Sequence, residues 1–277
     1  MGTVEGDRVR LGSVFDEVAY LYDLARPKYP NEIFEDLFAF TRLDSYSCFI
    51  EVGCGTGQAS VPIAQRARGL IGIEPGPNLS EIARWHLDPY PGSFVITQTF
   101  ESFQPAGAKF DALVAATCWH WIDPNIRYAK AHECLKRSGF LCILTSEHAF
   151  PKGFDPIFSE IQEFYDSTRE PGDTKFPWPP PQPDDTPDLS ADINGSGLFK
   201  VKSVKRYRWT VNYTADRYID LLNTYSDHRA MNPERRRTLF EGIRKLIDAR
   251  PSRNVCKHYQ AIMHIASPLQ RSRRANV

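Results

Sequence analysis

Glu51-Val52-Gly53-Cys54-Gly55-Thr56-Gly57-Gln58 sets three glycines at alternate positions directly behind a short apolar run, Cys48 to Val52. Glycine lets a backbone turn sharply and lets a ligand approach main-chain atoms closely. A plain tight turn is the bland reading, and three glycines after a buried strand weaken it. Two phosphate-binding loops fail on specific residues. A dinucleotide fingerprint needs its third glycine where Gln58 stands. A P-loop needs a lysine followed by serine or threonine, and neither is in place. What remains is E-x-G-x-G-x-G. A second chemical candidate, Glu74, closes the next apolar run, Leu70 to Glu74. An ionised carboxylate only accepts hydrogen bonds. As a solvated strand-end group it contributes little to stability.

These residues need elements to position them, and the first half of the chain supplies an alternation. Apolar runs at Cys48–Val52, Leu70–Glu74, Phe94–Thr97, Phe110–Ala116 and Phe140–Leu144 read as strands. They are apolar on both faces, as in a parallel sheet covered by helices on each side. Helical periodicity falls between them: Val14 to Ala25, a helix capped by Asn31, then 58–67, 78–86 and 124–136. Strand and helix alternating in this way predict a doubly wound α/β fold. In the second half, residues 171–189 are dense in proline and aspartate and exclude a helix or a central strand. This stretch is a surface loop or part of a lid. Phe199–Val211 reads as a strand, Thr214 caps a helix through Tyr225, Asn232-Pro233 opens another to about Ala249, and Tyr259–Ile265 reads as the last strand.

The glycine loop resembles motif I of the class I S-adenosylmethionine-dependent methyltransferases, in the small-molecule branch that includes trans-aconitate methyltransferase-like and type 11 enzymes. Such a loop suits a ligand whose amino acid and sugar pack against bare backbone. The resemblance implies a Rossmann-like, mostly parallel seven-stranded sheet with helices on both faces and a helical/loop lid insertion. It implies one methyltransferase domain over 1–277: helices and cofactor-binding core in 1–150, lid or substrate insertion in 151–230, and a last helix and strand in 231–277. It places Glu51, Gly53, Gly55, Gly57, Glu74 and Pro75 at S-adenosylmethionine, with Glu74 on the ribose hydroxyls. Thr99, Phe100 and Glu101 correspond to the adenine end, where relatives often carry an acidic residue near Thr99. Ala116 opens a segment through Asp123 that is similar to the family motif after the fourth strand. There His120 is the candidate base or orienting group, and Trp121 lines the acceptor pocket; Trp119 and Trp121 are otherwise packing aromatics. Phe15 to Pro30 resembles the opening segment of the same branch. It brings Tyr22, Arg26 and Tyr29 toward the methionine carboxylate, with Tyr29 also bordering the substrate. Leu221 to His228 is similar to bacterial members. Phe176, Trp178, Tyr218 and Tyr225, with His120 and Trp121, are the expected walls of an acceptor pocket.

Composition agrees with this class without naming a substrate. The 34 basic and 34 acidic residues leave a formal net charge of +0, so the chain lacks the overall basic balance that nucleic-acid binding usually uses. The basic cluster Arg271-Ser272-Arg273-Arg274 reads as a solvated terminus. Six cysteines without a C-x-x-C pair suggest reduced thiols and a cytoplasmic protein. No membrane span, metal centre or nucleic-acid partner is expected, and the oligomeric expectation is a monomer or homodimer. The expected activity is methyl transfer to an oxygen, nitrogen or carboxylate of a small metabolite, with S-adenosylhomocysteine as by-product. A carboxylate acceptor needs no base; a hydroxyl or amine does call on one. Two alternatives stay open: an S-adenosylmethionine binder of the same fold that does not methylate, and a nicotinamide-dependent oxidoreductase, which Gln58 disfavours.

Overall fold

A computed structural model describes residues 14–170, 178 and 180–270. Phe176 and the 271–274 basic cluster lie outside the described residues. Seven strands are assigned: β1 (Cys48–Val52), β2 (Gly69–Glu74), β3 (Ser93–Thr97), β4 (Phe110–Ala116), β5 (Leu135–Ala149), β6 (Phe199–Thr214) and β7 (Asn254–Pro268). They form one mostly parallel sheet in the order β3-β2-β1-β4-β5-β7-β6. β1 pairs in parallel with β2 on one side and with β4 on the other. The chain steps outward from β1 to β2 to β3, then crosses back to lay β4 against the free side of β1. That reversal makes a topological switch point, and ligands of open α/β sheets lie at the carboxyl ends of the strands there. The glycine loop follows β1 and the Thr117–Trp121 segment follows β4, so both sequence motifs leave the sheet at this point.

The strands at the switch point are as apolar as the sequence required. Phe49, Ile50, Ala112, Leu113, Val114 and Ala115 are each fully buried. The fifth strand is longer than the Phe140–Leu144 run suggested. The helix before it stops at Cys134, and Leu135 already pairs with Phe110. A register shift between Phe110 and Ala112 then lets Phe140–Leu144 pair with Ala112–Ala116. Helix ends follow capping chemistry. Thr214 Oγ1 accepts from the Arg217 amide at 3.4 Å. The Asn232 side chain accepts from the amides of Glu234 (2.9 Å) and Arg235 (3.3 Å) at the start of the Pro233–Asp248 helix. Asn31 corrects the expectation. It is the first helical residue, Pro30 occupies the cap, and the Asn31 amide donates to Glu35 one turn on.

The chain divides into two compact units, each built from separated segments. One, the glycine-loop unit, comprises Lys28–Ser146, Asp188–Tyr207 and Ala261–Val277. Its core gathers Ile50, Ile73, Leu113, Ile143 and Phe199. The other, the aromatic unit, comprises Met1–Pro27, Glu147–Pro187 and Arg208–Gln260. Its core includes Phe158, Tyr213, Tyr218, Leu221, Leu222 and Tyr259. Tyr218, expected at a pocket wall, is buried in this unit together with Leu221 and Leu222 of the same Ala215–Leu222 helix. Replacing Asn232 with alanine should destabilise the protein by about 1 kcal/mol through loss of the cap. A lowered thermal or urea midpoint with unchanged secondary structure is the expected result.

Candidate functional site

The loop after β1 is shaped by main-chain geometry. Gly53 has φ +60° and Gly55 φ +56°, in the left-handed region that side chains disfavour. They serve different ends. A Cβ on Gly53 would lie 2.7 Å from the Cys118 Cβ, so this glycine makes room for the segment after β4. A Cβ on Gly55 would meet nothing within 4 Å, so its bare face borders open space. The Ile73 carbonyl accepts from the amides of Gly53 (2.7 Å) and Cys54 (3.2 Å), and Gly57 N–H closes the turn onto the Cys54 carbonyl at 2.9 Å.

Glu74 fastens this loop to the one after β2. Its Oε2 accepts from the Gly55 amide and its Oε1 from the Gly76 amide, each at 2.9 Å. The residue is only 6% exposed. It is therefore not a solvated strand-end group, and its removal affects the fold as well as any ligand. Glu51 is buried beside it and accepts from Ser60 Oγ at 2.6 Å. Burial pushes the Glu51 carboxyl up to about 8; the Ser60 hydrogen bond opposes this and the nearby Glu74 charge adds to it. Two further polar atoms in the loop, Thr56 Oγ1 and Gln58 Nε2, are buried without a hydrogen-bond partner. Buried polar atoms are nearly always satisfied, so an open glycine face flanked by two orphaned polar atoms and two acids has the features of a ligand cradle.

The segment after β4 lies beside it. Cys118 Sγ donates to the Val52 carbonyl at 2.8 Å. Burial, the largest effect, and then the Glu51 and Glu74 charges raise the pKa values of Cys118 and Cys54, keeping both as thiols. Thr117, with φ +58°, shares a 2.6 Å hydrogen bond with the Tyr29 hydroxyl. Tyr29 is thus fixed at the carboxyl end of β4, a contact across 88 residues that no local spacing announces. Trp119 is buried and stacks edge-on against Tyr128, so it packs the core. His120 is exposed, with its ring 4.9 Å from the half-buried Trp121. Partial desolvation and then the Arg127 charge lower the His120 pKa, favouring the neutral imidazole.

Other candidates settle as follows. Pro75 is exposed between Glu74 and the Gly76 amide, and Ala116 ends β4. Glu101 lies four residues beyond the end of β3, and its Oε1 accepts from the Asp123 amide at 3.0 Å. Thr99 is exposed and makes a turn with Ser102, while Phe100 is buried in the core. Tyr22, Arg26, Trp178 and Tyr225 belong to the aromatic unit. The Arg26 guanidinium donates to the Thr224 hydroxyl and carbonyl, both at 2.8 Å, and lies 4.4 Å from the Tyr225 ring and 4.9 Å from that of Tyr22. Trp178 packs edge-on against Phe150 and Phe154. Among the described residues no group of three or more His, Cys, Asp or Glu could hold a metal. No helix among them is long and apolar enough to cross a membrane.

The strand order and the switch-point loop give a Rossmann-like α/β fold that is also the fold of solved S-adenosylmethionine-dependent methyltransferases. Residues 49–139, which contain that loop, match the family described as a methyltransferase domain. An uncharacterised methyltransferase of Mycobacterium tuberculosis is 26% identical over 129 residues, covering 46% of this chain and 49% of the relative. This chain thus spans about half the length of that relative. A ubiquinone biosynthesis O-methyltransferase of Azorhizobium caulinodans is 28% identical over 98 residues, covering 35% of this chain and 39% of that one. Among solved structures, a Geobacter sulfurreducens S-adenosylmethionine-dependent methyltransferase in complex with S-adenosylhomocysteine superposes with TM-score 0.51 at 10% identity, covering 94% of this chain and 98% of that one.

Two outcomes follow from the buried acids. An unfolded Glu51 ionises near 4.5 and the folded one near 8. Between those values the folded state holds the extra proton, so this group erodes stability as pH rises through the window. Glu51→Gln should therefore gain thermal stability over wild type progressively from pH 5 to pH 8. Glu74→Ala strands two backbone donors and should cost about 2 kcal/mol, read as a lower denaturant midpoint without added ligand.

Proposed function

We propose that the chain is a methyltransferase that binds S-adenosylmethionine in the glycine loop and transfers its methyl group to a small metabolite. The observation that carries this reading is the pairing of an open glycine face with two buried carboxyl groups. S-adenosylmethionine brings an ammonium and a sulfonium, which the charged Glu74 carboxylate favours while Glu51 beside it stays protonated at pH 7. The pyrophosphate of a nicotinamide dinucleotide meets repulsion there and finds no third glycine. Gly55 lets the cofactor lie against the main chain, and the orphaned Thr56 hydroxyl and Gln58 amide are available polar partners. Glu74, anchored on the Gly55 and Gly76 amides, is assigned to the ribose hydroxyls. Thr99, Phe100 and Glu101 border the adenine, and Ala116 the methionine end. Tyr22 and Arg26 are assigned to the methionine carboxylate.

The bound cofactor supplies a methyl group on an excellent leaving group. The work left to the protein is to align the acceptor, exclude water and manage any proton. His120, exposed and largely neutral at pH 7, is assigned as base or orienting group for an acceptor that carries a proton. Tyr29 and Trp121 of the glycine-loop unit are assigned to the acceptor. A small acceptor accords with the aromatic character of these residues and with the balanced net charge.

Calorimetric titration tests the reading. S-adenosylmethionine and S-adenosylhomocysteine should bind and NAD should not. Gly55→Leu should abolish that binding in a protein that still folds, because the side chain fills the open face and strains a left-handed backbone. NAD binding without S-adenosylmethionine binding, or unchanged affinity in folded Gly55→Leu, overturns it.

A further inference from the structure

Lys257 is an anomaly of the aromatic unit. It is only 3% exposed. Among the described residues its one hydrogen bond goes to the Tyr225 hydroxyl at 3.2 Å, and no carboxylate pairs with it. Its ammonium lies 5.3 Å from the Tyr225 ring, 5.5 Å from Tyr259 and 5.7 Å from Tyr218. Cation–π contacts offset part of the desolvation of a buried ammonium, but a buried charge ordinarily has an ionic partner as well. Tyr225 carries a second cation, Arg26, at 4.4 Å from its ring, and among the described residues that guanidinium also has no carboxylate partner.

The unmatched groups converge on one face of the sheet. Side chains two apart on a strand share a face, so Lys257 and Tyr259 neighbour each other on β7. β7 lies between β5 and β6. Trp209 from β6 stacks on Tyr259 with centroids 5.5 Å apart, and His148 from β5 lies 6.5 Å from the same ring. Trp209 Nε1 and His148 Nε2 are both buried without a hydrogen-bond partner. Burial, and then the Lys257 and His258 charges, lower the His148 pKa, so its imidazole is neutral. One row across three strands thus offers an unpaired ammonium, an indole donor and an imidazole nitrogen among aromatic rings. Small-molecule sites combine mostly apolar walls with a few convergent polar groups in this way.

We propose that the aromatic unit holds a binding site for a small, apolar molecule bearing one anionic group, with Lys257 as its charged contact and Trp209 and His148 as its polar ones. That this molecule is the methyl acceptor rests on the methyltransferase reading; the binding itself does not. Benzoate and trans-cinnamate, each compared with its neutral amide, are suitable probes, read by tryptophan fluorescence and calorimetry at pH 7. Wild type should bind each acid at least about tenfold more tightly than its amide, the difference expected for one hydrogen bond to a charged group. Lys257→Met, close in volume and uncharged, should erase that preference while S-adenosylhomocysteine affinity stays at the wild-type value. Trp209→Phe, which removes only the indole donor and its fused ring, should weaken both acid and amide without erasing the preference. Equal binding of acid and amide by wild type, binding of neither, or a preference that survives Lys257→Met overturns the proposal. If the acid preference holds while S-adenosylhomocysteine fails to bind, the anion site stands and the methyltransferase reading falls.

Discussion

Glu74 holds two loops with one carboxylate. One oxygen takes the Gly55 amide and the other the Gly76 amide. These loops follow β1 and β2, adjacent parallel strands, and without a shared acceptor their first amides would each need another partner. The arrangement constrains everything nearby. Gly55 is held with its bare face open, Gly53 is left tight against Cys118, and Cys118 in turn reaches the Val52 carbonyl. Burial pushes the neighbouring Glu51 carboxyl up to about 8, with a smaller push from the Glu74 charge, so Glu51 keeps its proton at pH 7 and Glu74 carries the negative charge at the loop. Preorganised polar groups at a switch point favour a ligand of complementary charge without rearrangement, and here that complement is a cation.

Much of this centre was legible in the sequence because its signals are local. Three glycines at alternate positions, an apolar run before them and an acid closing the next run mark the loop, the strand and the carboxylate within 24 residues, from Glu51 to Glu74. Gln58 excluded the dinucleotide fingerprint by its position alone. Thr214 and Asn232 announced their helices, since a cap is a property of three or four consecutive residues. Asn31 misled for the same local reason: its side chain satisfies a Glu35 contact one turn on.

What stayed hidden depends on distant pairing. The sequence marked Glu74 as a ligand carboxylate but not its hold on the Gly55 and Gly76 amides, which loop geometry sets and spacing does not. The Tyr29–Thr117 hydrogen bond joins residues 88 apart. β5 exceeded its apolar run because pairing with β4, not hydrophobicity, extends it. The burial of Tyr218, Leu221 and Leu222 is set by how their amphipathic helix packs against distant parts of the chain. The Lys257 row draws on β5, β6 and β7, strands far apart in the chain, so a lone lysine in an apolar run carried no signal.

Amide hydrogen exchange with and without saturating S-adenosylhomocysteine tests the central claim most directly, since exchange reports on the loop amides themselves. The account predicts slowed exchange concentrated in residues 53–58 and 74–76, with no such protection from NAD. Exchange unchanged in both segments while S-adenosylhomocysteine is bound, or protection there by NAD alone, would contradict it.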